Sequence, residues 1–424
     1  INVKRDGASA ANKTIAVTNA MLIGEITVAV KKDATFNIKK IVHIHDDRSK
    51  SIYTSGSAAS TSTFLDSQLD NNVSFKVTSF SNFAMYAYEL VCEVLDDKGT
   101  SQGYYESFSA ALDAINNYVN MSANWTIKLL QNASVEATQE IINPWKWTID
   151  LAGNTLSTNM FSVASGNGTH SLTIKDSSDT KSGKLTGIGT SATINIGGKC
   201  TVTLESGSIV NTSGTAVAVK DNKNQKSAHF VMTGGTLNGT TALTAEQGAV
   251  EISNGTVTGT NSTVDGEAAI LVNDNVTLTI KGGSVTNAKG NAISINGASS
   301  QFTMSGGTVN GRTKGVDMYG GSAEISSGTI EGGTAINTVG SSITISGGTF
   351  DSTTADKEVV AATTGSTTVA ISGGSFKHEV PKVQCADGYV PCADAKNPGR
   401  FSVEPISEPV ARAEDALGVD KGTF

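Results

Sequence analysis

Proline is missing from the whole stretch between Pro144 and Pro381, more than half of the 424-residue chain. Proline removes a backbone donor and is tolerated in sheets only at edges, strand starts and bulges. A proline-free tract of that length suits one continuous stack of paired strands. Charged residues are also scarce, at 17%, and aromatic residues reach only 6%. The net charge is −8 and no segment carries a basic cluster, so nucleic acid and anionic membranes are poor partners. Four cysteines, Cys92, Cys200, Cys385 and Cys392, are too few for a disulfide framework. No run is long and apolar enough for membrane insertion as a helix; the best, residues 14–30, is interrupted by Asn19 and Glu25. The chain begins with Ile1 and shows no signal peptide, which reads as a processed or truncated mature form. The composition suits an extracellular protein, secreted or cell-surface associated.

Glycine is abundant, with 45 residues, alongside many Ser, Thr and Asn. Such a composition often signals disorder, but a recurring phrase overrides that reading. It appears as Leu204-Glu-Ser-Gly-Ser-Ile209, Ile280-Lys-Gly-Gly-Ser-Val285, Met304-Ser-Gly-Gly-Thr-Val309 and Ile345-Ser-Gly-Gly-Thr-Phe350, among others. Its corner glycines are Gly207, Gly235, Gly255, Gly283, Gly307, Gly328, Gly348 and Gly374, at spacings expected for solenoid coils. Before each corner, apolar and polar residues alternate, as in Val276-Thr-Leu-Thr-Ile280, so one strand face is buried and the other wet. Glycine permits a backbone corner that a side chain resists. A second apolar pair follows, such as Val217 and Val219 or Ile293 and Ile295. A single coil cannot bury its own apolar face, but stacked coils can. The expected fold is all-β: a parallel β-helix, right-handed as parallel crossovers nearly always are.

Outside the repeats the organisation changes. Residues 1–100 contain alternating runs, including Lys13–Val17, and a denser set of aromatics; they are expected to form a small β-sandwich-like domain for assembly or binding. Residues 101–122 hold Phe108, Leu112, Ile115 and Val119 at helical spacing, with Ser107 or Ser109 as a cap. A helix there would cover the exposed first coil of the solenoid, which spans 123–380. A C-terminal cap is expected over 381–403, and a linker with a short helix over 404–424.

The helical segment Tyr105–Ile115, the strand Thr126–Leu130, the Ile-Ser-Gly-Gly-Thr-Phe phrases and Cys385-Ala-Asp-Gly-Tyr-Val390 together resemble right-handed β-helix proteins of the pectin-lyase-like superfamily. Within it they look most like repeat-bearing surface proteins secreted by gut Gram-positive bacteria. The resemblance covers about residues 104–403 and rests on structural positions, so it implies a fold more than an activity.

Polysaccharide-cutting β-helices need carboxylates at fixed separation, or a cation with a basic residue. The pectin-hydrolase set of Asn-Thr-Asp, paired Asp, His-Gly and Arg-Ile-Lys is missing. Paired aspartates occur only at Asp46-Asp47 and Asp96-Asp97, before the solenoid. Solenoid acids such as Asp176, Asp317 and Glu331 read as solvated; Glu251 and Glu324 form at most a loose pair across coils. Arg312 is the one arginine between Arg48 and Arg400. His43 and His45 share a strand face and have metal-ligand chemistry, but no third ligand can be named, and a polar strand face explains them equally. Trp145 and Trp147 could stack on sugar, with core packing as the simpler reading. Thr277 and Thr279 resemble the threonine pairs of ice-binding surfaces, yet irregular coil lengths argue against a flat lattice. Cys385 and Cys392 flank a Pro/Gly turn, compatible with a local bridge or with free thiols; Cys200 reads as a small core residue. No catalytic residue, cofactor or metal is expected.

The resulting expectation is a non-catalytic extracellular structural or adhesive protein. Its β-helix is a rigid projecting spacer, and the N-terminal domain associates with itself or with a host or microbial glycan or protein. A polysaccharide-active lyase or glycosidase and a virus-particle decoration or fibre protein are the alternatives.

Overall fold

The structure is a computed structural model. It describes residues 26–31, 36–45, 50–60, 62–67, 72–78, 82–116, 124–141, 146–164, 169–220, 227–260, 268–354, 358–363, 366–406, 412–414 and 420–423. The fold is nearly all β, and its larger part is a β-solenoid of about nine turns. Contacts divide the chain into two units, Ile1–Glu93 with Gly103–Ala111, and Val94–Gln102 with Leu112–Phe424.

Each complete coil of the solenoid has three strands. One coil runs Cys200–Leu204, Ser208–Asn211 and Val217–Lys220. The first two alternate buried with half-buried residues, as the binary pattern requires. Parallel pairing between coils then sets like beside like. Along the first face Val202 pairs with Phe230, Phe230 with Val250, Val250 with Leu278, and Leu278 with Phe302. All five side chains are 0–1% exposed. Full burial of one such side chain is worth about 1.5–3 kcal/mol, so these inward columns carry the stability. The third strand is different. In Val217–Lys220 and Asn291–Ile295 both parities are buried, which leaves outward-parity residues such as Ser294 and Asp317 at 0% exposure.

The corners explain the paired glycines of the phrase. All eight corner glycines have positive φ, from 74° at Gly235 to 114° at Gly374. Each coil also hydrogen-bonds to the corner below it: Thr236 N donates to Gly207 O, Thr256 N to Gly235 O, Ser284 N to Gly255 O and Thr308 N to Gly283 O, at 2.9–3.0 Å. At Gly307 an added Cβ would meet Gly282 and Gly283 backbone atoms at 2.8–2.9 Å. At the preceding Gly306 φ is unremarkable, but a Cβ would sit 2.4 Å from Lys281 O. The second glycine is needed for its dihedral and the first for close approach.

The N-terminal unit is one six-stranded sheet, ordered by chain position as first, fifth, fourth, third, second, sixth: Ile26–Lys31, Asn72–Val77, Thr63–Ser67, Lys50–Ser55, Phe36–Ile44, Asn82–Glu89. Its core gathers Ile38, Ile41, Tyr53, Phe64, Val73, Phe75 and Val77. Among the described residues this is a single sheet, not the expected sandwich; Lys13–Val17 lies outside them. The helix forms over Phe108–Asn116. Ser107 Oγ accepts from Ala110 N at 3.1 Å, and Phe108, Ala111, Leu112 and Ile115 are buried.

At the C-terminal end the strand direction reverses. Phe401–Pro405 runs antiparallel to both Tyr389–Ala393 and Ser375–Phe376. The Phe350 and Phe376 rings stack at 5.0 Å beneath this reversal. The tail holds a small antiparallel pair, Arg412–Glu414 with Asp420–Thr423, in place of the expected short helix. Its alternation of small and charged residues lacks a helical apolar stripe.

Gly307→Val is expected to lower stability by about 3 kcal/mol or more, since a β-branched residue meets both a positive φ and the coil below. Thr277→Ser, on the exposed face, should change it by less than about 0.5 kcal/mol. Thermal melts of the two variants compare these directly; equal melts would show that the corners do not limit the stack.

Candidate functional site

The outward faces of the solenoid are rows of hydroxyls. On the first face Thr126, Thr148, Thr173 and Thr203 follow one another in register, and Thr279 pairs with Thr303 further along. On the second face Ser208, Thr236, Thr256, Ser284, Thr308, Thr329, Thr349 and Ser375 form an unbroken row. Irregular coil lengths do not disturb these rows, but Thr277 lies between Ala249 and Gln301, so no threonine lattice surrounds it. Most differences in length fall outside the paired segments; register shifts within them lie between Val219 and Lys220 and between Met304 and Thr308.

Four groups of charged residues interrupt the hydroxyl rows or lie beneath them. Glu251 accepts from Lys281 Nζ at 2.8 Å and from Ser253 Oγ at 3.1 Å. The Lys281 contact holds its carboxyl below the usual range against the opposing effect of burial. Glu324 is exposed and lies three strands away, the register running Glu251, Thr279, Thr303, Glu324. At about 4.8 Å per strand that is roughly 14 Å, well beyond the separation at which two carboxylates act on one glycosidic bond. Arg312 is exposed at a turn, its N–H donating to Asn287 O. The structure brings neither Glu324 nor Arg312 to Glu251.

Two solenoid acids read as solvated are buried instead. Asp176 is 1% exposed, and accepts from Gly153 N at 2.8 Å, Ser178 N at 3.0 Å and Gly183 N at 2.5 Å. Burial works against its ionisation, but these bonds outweigh it and keep the carboxyl below the ordinary range. Asp150 makes the reverse contact, accepting from Ala152 N and, on the next coil, from Ser177 N. The two aspartates clamp adjacent turns. Asp317, at 0% exposure, accepts from Lys314 Nζ at 2.8 Å, Asn337 Nδ2 at 2.7 Å and Asn291 Nδ2 at 3.2 Å. This network joins three coils.

Glu331 and Asp351 are direct neighbours in register on the second face, a juxtaposition the sequence reading missed. Its signal was that each follows the last apolar residue of a phrase. Both carboxylates already have partners: Asn310 Nδ2 donates to Glu331 at 2.9 Å and Arg400 to Asp351 at 2.6 Å. Arg400 also donates to Ser375 Oγ, Ser375 O and Phe350 O, so it clamps the last coils to the terminal hairpin. Nearby, Asp394 accepts from Asn397, Ser375 and Lys396, which depress its pKa to about 2.

The remaining candidates resolve as structure. His43 is buried and its ring lies 4.0 Å from that of His45, which hydrogen-bonds Ser51 Oγ at 2.7 Å; Asp46 and Asp47 lie outside the described residues. Among the described residues, no group of three His, Cys, Asp or Glu side chains is placed to hold a metal. Trp147 is 2% exposed and pairs with Trp125 in the inward column, so it cannot stack on a sugar; Trp145 lies outside the described residues. Cys385 and Cys392 are both free thiols, not a bridge, and Cys392 Sγ sits 3.1 Å from Ser402 Oγ. Cys200 is fully buried.

No family model matches this chain, and no curated protein or solved structure matches it either.

Arg400→Ala is expected to cost about 2–3 kcal/mol, the loss of a half-buried charged donor set, and to raise hydrogen exchange in Thr349–Ser352 and Ser375–Phe376 while sparing Cys200–Leu204. Acid dependence follows from the depressed carboxyls. The contribution of Asp176 is complete above the ordinary aspartate pKa of about 3.9 and is lost as pH falls through its lower folded value. Asp176→Asn should therefore melt earlier than the parent at neutral pH, with the gap closing in strong acid. A gap independent of pH would show that charge at Asp176 does not matter.

Proposed function

We propose that this chain is a non-catalytic extracellular structural or adhesive protein, its solenoid a rigid spacer and its first hundred residues the part that associates. The observation that carries this is the unbroken hydroxyl row from Ser208 to Ser375 above a continuous apolar column. A surface of small hydroxyl residues, with few of the aromatic or arginine anchors on which interfaces depend, is built to be stiff and solvated. The resemblance of the phrases to pectin-lyase-like surface proteins supports the same reading. Phe80, Phe83, Met85, Tyr86 and Tyr88 are the sequence's candidates for an association surface, but none of their side chains lies among the described residues.

The adjacent acids Glu331 and Asp351 favour one second reading, a polysaccharide-active enzyme, because neighbouring carboxylates are what retaining hydrolysis uses. Incubation with plant, mucin and microbial glycans separates the two. No chain cleavage is expected. Reproducible cleavage abolished by Glu331→Gln, Glu251→Gln or Arg312→Ala would overturn the structural reading. Light scattering tests the rest: the full chain is expected to self-associate or bind a surface ligand, and a chain beginning near Ser101 to remain monomeric. Equal association of the two would place the contact on the coils.

A further inference from the structure

The Asp317 network has the composition of a self-crosslinking site. A buried ion pair is costly unless both charges are fully compensated, and here an amine, a carboxylate and a side-chain amide meet on one oxygen. Lys314 Nζ and Asn291 Nδ2 both donate to Asp317 Oδ2, at 2.8 and 3.2 Å. Asn337 Nδ2 holds the other oxygen, Oδ1, at 2.7 Å. Ser294 Oγ accepts from the same Asn291 nitrogen at 3.2 Å. Asn291, Ser294 and Asp317 are 0–2% exposed, and the Lys314 side chain is 20% exposed. The parallel register pairs Ile293 with Val316 and Ser294 with Asp317.

We propose that Lys314 and Asn291 form an intramolecular amide between adjacent coils, with Asp317 as the proton carrier. Asp317 Oδ2 takes a proton from the lysine ammonium. The neutral amine is then a nucleophile, on a side chain only 20% exposed, and Nζ attacks Asn291 Cγ. Asp317 passes a proton to Nδ2 and recovers another from the attacking nitrogen. The Cγ–Nδ2 bond breaks, ammonia leaves, and a secondary amide remains. Asp317 keeps the one proton left over from the former ammonium, so atoms and charge balance and no oxidant is needed. The product holds no buried ion pair, which gives the reaction its direction. Asn337 acts as a positioning residue, since it touches only the oxygen that does not face the amine.

Mass spectrometry of the intact, denatured full chain tests this. The expected result is the sequence mass less one ammonia, with a digest yielding a branched peptide that joins Lys314 to Asn291. Lys314→Arg keeps a cation beside Asp317 but cannot form the amide; it should restore the full mass and abolish the branched peptide. The digest is required because Asn-Gly steps such as Asn254-Gly255 can also lose ammonia by cyclising, without a branch. A parent chain of full mass with separate peptides overturns the proposal. So does loss of water with Lys314 joined to Asp317, or a branch to Asn337. Because the parent chain alone gives the answer, the test stands whether or not the Lys314→Arg chain folds.

Discussion

Strand pairing between coils at the glycine corners is the constraint on which the solenoid rests. Corner carbonyls accept from the residue just past the next corner, as Gly283 O does from Thr308 N. Those bonds form only if successive corners superpose with no offset. Superposition in turn stacks the inward residues on their equivalents and leaves the hydroxyls in rows. A slip of one residue would turn every apolar column outward. The positive dihedral at one glycine and the missing Cβ at the other are therefore the local price of a global register.

That register was legible because its determinants are local. The phrase names its own corner, and alternation on either side names the buried parity without reference to distant residues. Serine and threonine at outward positions could be assigned for the same reason. The third strand was legible only in part. Its inward parity followed from pairs such as Val316 and Met318, but the burial of Asp317 between them did not. Whether an outward residue is covered depends on what neighbouring coils place over it, and that is not written within one coil. The same holds for Glu331 and Asp351, which are separated by a full turn of chain and meet only through pairing.

Charge in this molecule works as fastening. Asp150 and Asp176 exchange contacts across one corner, Asp317 gathers donors from three coils, and Arg400 ties two coils to the closing hairpin. A chain with so few charges spends several of them where backbone pairing is interrupted. Asp176 and Asp394 lie between strands, whereas Asp317 fastens from within a paired one. The N-terminal sheet follows another logic, with Tyr53, Phe64 and Phe75 supplying a core of its own.

The differing lengths of the coils have a consequence for how such a chain changes over generations. The Leu243–Ile252 strand passes from one coil directly into the next, whereas other coils insert extra residues between Lys220 and His229 or between Gly259 and Ala268. Both kinds advance the axis by the same single strand spacing, about 4.8 Å. Length along the axis is counted in coils, not residues. Duplication or loss of a whole coil would lengthen or shorten the rod by one fixed step, while insertions within a coil would decorate its side and leave its reach untouched. Two descendants of one such gene could thus differ greatly in residue number and still span the same gap.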